Sequence, residues 1–221
     1  MSNTAAPFGI LPSWHPSGQI RPTAYTSFGA TDQMIPSGTT SAFFKGTPIG
    51  LIIGAGAQIN GSTANIATGR MIFDPLSAID TAHFKPYGVF AGVEYVDASG
   101  KPFVSDTWPA GQTMLAGSRQ VVYVWDDLET VFRAQFNGVP TAGGGFGLTG
   151  KMINFASWGT GSTLTGLSTA SISGTVPATG ALGQGRIVKL WEGTDNLAAD
   201  TYPIYEFKLM PNQFVTPVVS L

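Results

Sequence analysis

The chain contains no cysteine. That excludes a disulfide framework and any thiolate nucleophile or metal ligand, and it fits synthesis in a reducing cytosol. Charge is sparse as well. Asp, Glu, Lys and Arg make up 11% of the 221 residues, against roughly 25% in an average soluble protein. The formal net charge is −2 and no Lys/Arg cluster occurs. Nucleic acid is thereby excluded as the principal partner, because binding to a phosphate backbone rests on clustered cations. The longest apolar run, Ile49–Ile53, falls far short of the ~20 residues that cross a bilayer as a helix, so no membrane partner is expected. No basic stretch followed by an apolar one opens the chain, and no secretory signal is read there. Histidine is limited to His15 and His83. Without cysteine, a zinc site would need both to converge with carboxylates. Each is read instead as a solvated or packing side chain, and no metal or other cofactor is expected.

The chain is rich in glycine (29 residues), proline (15) and aromatics (11%). With abundant Thr, Ser and Val, this composition favours strands and turns over helices. The first forty residues hold five prolines, four glycines and only Arg21 and Asp32 as charges. Proline removes backbone donors and biases its predecessor to extended geometry, so no helix of useful length fits there. Yet Phe8, Ile10, Leu11, Trp14, Tyr25 and Phe28 are too apolar for a solvated tail. Residues 1–40 therefore read as an extended arm, lying across its own domain or a neighbouring subunit. The alternative is a plain lead-in to the β-rich domain, residues 41–221.

Within that domain, Ser41–Ile59 reads as one or two glycine-interrupted strands. Asp74-Pro75 marks a turn, with up to one helical turn over 75–83. A strand from Tyr87 reaches a turn at Asp97–Gly100, and a second strand follows. Residues 120–136 give the strongest signal: QVVYVW, a break at Asp126-Asp127, then ETVFRAQF with Phe132, Ala134 and Phe136 on one face. This pattern predicts a hairpin with one buried side. The glycine-rich stretch 137–150 is a candidate sub-boundary. Further strands are expected at 186–191 and 202–210, the second setting Tyr205, Phe207 and Leu209 against Glu206 and Lys208. The predicted fold is all-β, a β-barrel or jelly-roll-like β-sandwich with an extended N-terminal arm.

No motif carries catalysis. Gly145–Lys151 satisfies G-x-x-x-x-G-K, but Met152 stands where a phosphate-binding loop needs Ser or Thr, and β-formers follow where it needs a helix. Asp126, Asp127 and Glu129 form the densest carboxylate cluster. Paired acids serve glycoside hydrolysis or calcium binding, whereas Asp-Asp between strands is ordinary turn chemistry, which is preferred. Trp14, Trp108, Trp125, Trp158 and Trp191 are spread along the chain. An exposed row would bind sugars, and the preferred alternative is that they anchor a core or a subunit interface.

Several segments resemble structural proteins of tailed bacteriophages. The A-P-F-G start at Ala6–Gly9, the H-x-S-G at His15–Gly18, the G-V-F-x-G-x-x-Y-V-D at Gly88–Asp97 and the D-D-x-x-x-V-F-x-x-Q at Asp126–Gln135 occur here in order. The C-terminal third is similar in composition only. The resemblance implies a non-enzymatic virion protein, a capsid cement or decoration protein made in the host bacterial cytoplasm and placed on the outer capsid surface. It implies the major capsid protein and further copies of the chain as partners, in a homotrimer. Partner-binding residues are expected in the arm and the 120–136 region: Phe8, Ile10, Leu11, Trp14, Tyr25, Phe28, Tyr123, Trp125 and Phe132. A tail or head–tail component is the alternative, and a carbohydrate-binding β-protein a third.

Overall fold

A computed structural model describes residues 4–28, 33–53, 71–75, 86–140, 146–157, 160–177 and 183–210, without the side chains of 51–53, 71–75 and 146. The strands in chain order are β1 (Leu11–Trp14), β2 (Thr23–Phe28), β3 (Phe43–Phe44), β4 (Pro48–Ile53), β5 (Met71–Pro75), β6 (Gly88–Val96), β7 (Pro102–Ser105) and β8 (Thr107–Trp108). They continue as β9 (Arg119–Trp125), β10 (Val131–Gln135), β11 (Met152–Ile153), β12 (Phe155–Ala156), β13 (Ser171–Ile172), β14 (Gly185–Leu190) and β15 (Ile204–Leu209). The chain is all-β: the only helical element among the described residues is a single 3-10 turn at Phe146–Leu148.

Two large sheets carry the fold. The first runs β1-β10-β15-β14-β11, and the second β2-β9-β6-β4-β5 with β7 added alongside β6. All the pairings within them are antiparallel. The second sheet is buried on both faces along its central strands, which is why β6 and β9 are apolar at nearly every position. Val89, Ala91 and Trp125 point into one core, against Phe132, Ala134, Ile187, Phe207 and Leu209 of the first sheet. Phe90, Val93, Tyr95, Val122 and Val124 point into a second core with Ile35, Phe43, Ile49 and Trp108. Alternation along each strand divides its residues between the two cores.

The expected hairpin at 120–136 does not form. β9 pairs with β2 and β6, whereas β10 pairs with β1 and β15. The chain switches sheets between them, and both strands are buried on two sides rather than one. Alternation gives a strand its period and says nothing about which strand lies beside it. The tight turn that closes a hairpin is also absent. Instead Asp127 Oδ1 accepts from the Glu129 N–H, its carbonyl accepts from the Thr130 N–H, and this redirects the chain. Asp74-Pro75 is likewise no turn, since Gly50 pairs with Asp74 and Ile49 with Pro75 in β5. The short helix expected over 75–83 lies outside the described residues. The turn at Asp97–Gly100 joins β6 to β7: Asp97 Oδ1 accepts from the Ser99 and Lys101 N–H groups, each at 2.9 Å.

The proline-rich N-terminal segment lies across its own domain. β1 is an edge strand of the first sheet and β2 an edge strand of the second. Ile10 is fully buried. Its N–H donates to the Gly46 carbonyl at 2.9 Å, and the Gly46 N–H in turn donates to Phe90. Gly9 and Gly46 meet there at φ of +82° and +87°, and a Cβ on Gly46 would fall 3.0 Å from the Ile10 nitrogen. Two glycines in left-handed conformation thus allow the segment to press against the core.

Candidate interaction surface

The crossing from β1 to β2 runs beside the crossing from β9 to β10, and acidic side chains fasten the two together. Thr23 Oγ1 donates to Asp126 Oδ1 at 2.6 Å. The Tyr25 hydroxyl donates to Asp126 Oδ2 and is also bonded to the Tyr87 hydroxyl. His15 Nε2 lies 3.1 Å from Asp127 Oδ2. Burial, then the hydrogen bond to Asp126, pushes the Tyr25 phenol far above its ordinary pKa. Burial chiefly raises Tyr87 as well. Glu129 pairs with Lys208 at 2.6 Å. Every acid of the 126–129 cluster therefore has a partner within the chain. Turn chemistry accounts for Asp127, while Asp126 acts as a long-range acceptor. Two-histidine chemistry is not built here either: His15 belongs to this clasp, and His83 lies outside the described residues. Among the described residues, no group of three or more His, Asp or Glu side chains converges as a metal site. After Lys151 the chain enters β11 rather than a helix, which removes the second half of a phosphate-binding loop.

The expected partner-binding residues separate by burial. Ile10, Trp125 and Phe132 are core side chains, 0%, 8% and 0% exposed, and have no surface to offer. Phe8 and Leu11 are half-buried and line a cleft on the first sheet. Tyr25 is occupied by Asp126 and Tyr87. Trp14 and Phe28 are exposed. Trp108 and Trp125 are buried, as the core assignment of the tryptophans expects, and Trp158 is outside the described residues.

Register shows which exposed residues share a face. Phe28 stands opposite Arg119, Thr26 opposite Val121, and Ala24 opposite Tyr123. Val121 in turn stands opposite Glu94, and Glu94 opposite Val104. Directly opposed residues project to the same side of a sheet. These residues therefore continue the face whose other end, at Val89 and Trp125, is covered by the first sheet. At this end nothing among the described residues covers Phe28 or Val104, which are 62% and 81% exposed. Between them a shallow cavity of 180 Å³ is lined by Glu94, Val104, Arg119 and Val121, among others. The Tyr123 hydroxyl donates to Glu94 Oε1 at 2.5 Å. That bond, with lesser help from burial, raises the tyrosine pKa and fixes Glu94 at the centre of the patch. An apolar sheet face carrying one cation and one anion can take a protein surface. Val104, Arg119 and Glu94 carry no sequence signal for this role, because Pro102–Ser105 has no polar contrast to show which side faces out.

Neither family models, nor curated proteins, nor solved structures give a match to this chain.

Proposed function

We propose that this chain is a structural protein that docks onto another protein through the uncovered end of its second sheet, without catalysing a reaction. The docking partner is the major capsid protein, on the outer shell of a tailed-phage head, where the chain acts as a cement protein and assembles as a homotrimer. One observation carries the interface: Phe28 and Val104 stand exposed on the same face as Glu94 and Arg119, on strands whose opposite side packs Tyr25 and Phe103 against the second core. The ordered phage-like motifs supply the identity of the partner. Their residues also have evident work in this fold: Gly9 at the close approach, Asp97 in its turn, Asp126 in the clasp, and Gln135, whose amide bonds the backbone of Thr4 and Ala6.

The test is reconstitution. Wild-type protein and Val104→Lys are added to undecorated phage heads, and bound copies are counted by sedimentation and located in a particle map. Copies spread over the shell, and a loss of roughly tenfold or more in attachment for Val104→Lys, are expected from removal of one interface anchor. Copies confined to one vertex or to the tail would assign the chain to the head–tail apparatus. Absence from every particle would remove the virion reading. Native mass spectrometry, in solution and after release from heads, reads the trimer.

A further inference from the structure

The outer face of the first sheet holds a second feature, and it does not depend on what the second sheet binds. Across that face the register runs Leu11, Arg133, Glu206, Lys189 on four neighbouring strands. The Glu206 side chain is 6% exposed. Its Oε1 accepts from Ser13 Oγ at 2.5 Å, and its Oε2 lacks a hydrogen-bond partner, with Lys189 Nζ 4.0 Å away. Lys189 leans toward Glu192, at 3.1 Å. Arg133 is left over. Its guanidinium lies over the ring of Trp191, 5.3 Å from the centroid. Its Nε is buried without an acceptor, and among the described residues no carboxylate comes within 4.0 Å of it.

The surroundings are built rather than incidental. Asn196 ties down the loop after β14, its amide bonding the carbonyls of Trp191 and Ile204 and the Ile204 N–H at 2.7–2.8 Å. The Trp191 ring fits because residue 193 is glycine: a Cβ there would fall 2.0 Å from Cζ3. Above Arg133 opens a cleft of 190 Å³ whose remaining walls are Phe8, Leu11, Trp191 and Ile204.

We propose that this cleft is a binding site for an apolar side chain presented together with a carboxylate, supplied by a partner polypeptide. Four apolar walls select the aliphatic or aromatic body. The guanidinium supplies planar donors matched to a carboxylate. The volume lies below the roughly 300–1,000 Å³ of small-molecule sites and suits one anchoring residue. A sugar is disfavoured because Arg133 already covers a face of Trp191. A dianionic phosphate is disfavoured because Glu206, opposite Arg133 in the register, and Glu192, next to Trp191, place negative charge near the guanidinium.

Nuclear magnetic resonance of the 15N-labelled full chain tests this through the Arg133 Nε–H and Trp191 indole N–H signals. The probes are N-acetyl-leucine, N-acetyl-leucinamide, acetate and the peptide acetyl-Ala-Leu-Glu-Ala-amide. N-acetyl-leucine and the peptide are expected to shift both signals saturably. The leucinamide should bind about tenfold more weakly, the worth of one charge-assisted hydrogen bond, and acetate should leave both signals unmoved. Arg133→Gln should erase the preference for the carboxylate, and Arg133→Lys should keep part of it. Spectral dispersion confirms that each variant is folded. No saturable shift from either carboxylate probe would overturn the proposal, as would equal binding of the amide or an Arg133→Gln variant with the preference intact. Binding of N-acetyl-leucine without the peptide would overturn the polypeptide source. Because no phage particle enters the experiment, its outcome is separate from that of the capsid reading.

Discussion

Replacing Asp126 with alanine tests how the N-terminal segment is held. The substitution removes the acceptor for Thr23 Oγ1 and for the Tyr25 hydroxyl. Hydrogen bonds to a charged partner contribute about 1.5–3 kcal/mol each. The Thr23 bond is exposed and water replaces much of it. The Tyr25 bond is partly buried, and its loss leaves the hydroxyl with Tyr87 alone. The expected cost is therefore about 2–3 kcal/mol, far above the ~0.5 kcal/mol of an ordinary surface change. Asp126→Asn keeps one acceptor and should lose roughly half as much. Urea unfolding followed by tryptophan fluorescence measures both. A double-mutant cycle with Tyr25→Phe should give a coupling of about 1 kcal/mol or more. Glu129→Ala is the control within the same acid cluster: Glu129 is itself largely solvated, and such surface pairs contribute at most about 1 kcal/mol. Asp126→Ala within 0.5 kcal/mol of the wild type, or strict additivity with Tyr25→Phe, would refute the clasp and return Asp126 to the status of a turn residue.

Alkaline pH should destabilise the fold. Tyr25, Tyr87, Tyr95 and Tyr123 all have raised pKa values, so the folded chain keeps protons that the unfolded chain releases. Their contribution is complete below the ordinary tyrosine pKa of about 10 and is lost as pH rises through the raised folded values. A lower urea midpoint at pH 11 than at pH 8, with the drop reduced in Tyr25→Phe, is the expected result. Gly193→Ala should expel the Trp191 ring, seen as a red-shifted emission, because the added Cβ meets it at 2.0 Å. Phe28→Ser and Val104→Lys should each leave the urea midpoint nearly unchanged, within about 0.5 kcal/mol, since both side chains are exposed. A large destabilisation would mean that the patch belongs to the fold rather than to an interface.

The sequence alone determined the all-β class, the Asp97–Gly100 turn, the strand character of 119–125, 131–135, 185–190 and 204–209, and the extended course of the N-terminal segment. These features rest on local physics: proline and glycine restrict the backbone within a few residues, and alternation reports a period of two. Only the tertiary structure decided which strands are neighbours. Trp125 and Val131 are six positions apart and enter different sheets, because pairing is settled by which faces can be buried together. The same holds for the polar residues. Glu206 alternates against Tyr205 and Phe207 as an outward residue should, yet it is buried, and its carboxylate is bonded by Ser13 from nearly two hundred positions away. Asp126 has the sequence of a turn and the partners of a clasp. The exposed patch of Phe28, Val104 and Arg119 and the cleft at Arg133 are each assembled from strands distant in the chain. A residue's exposure depends on what the rest of the molecule leaves uncovered, and no local pattern carries that information.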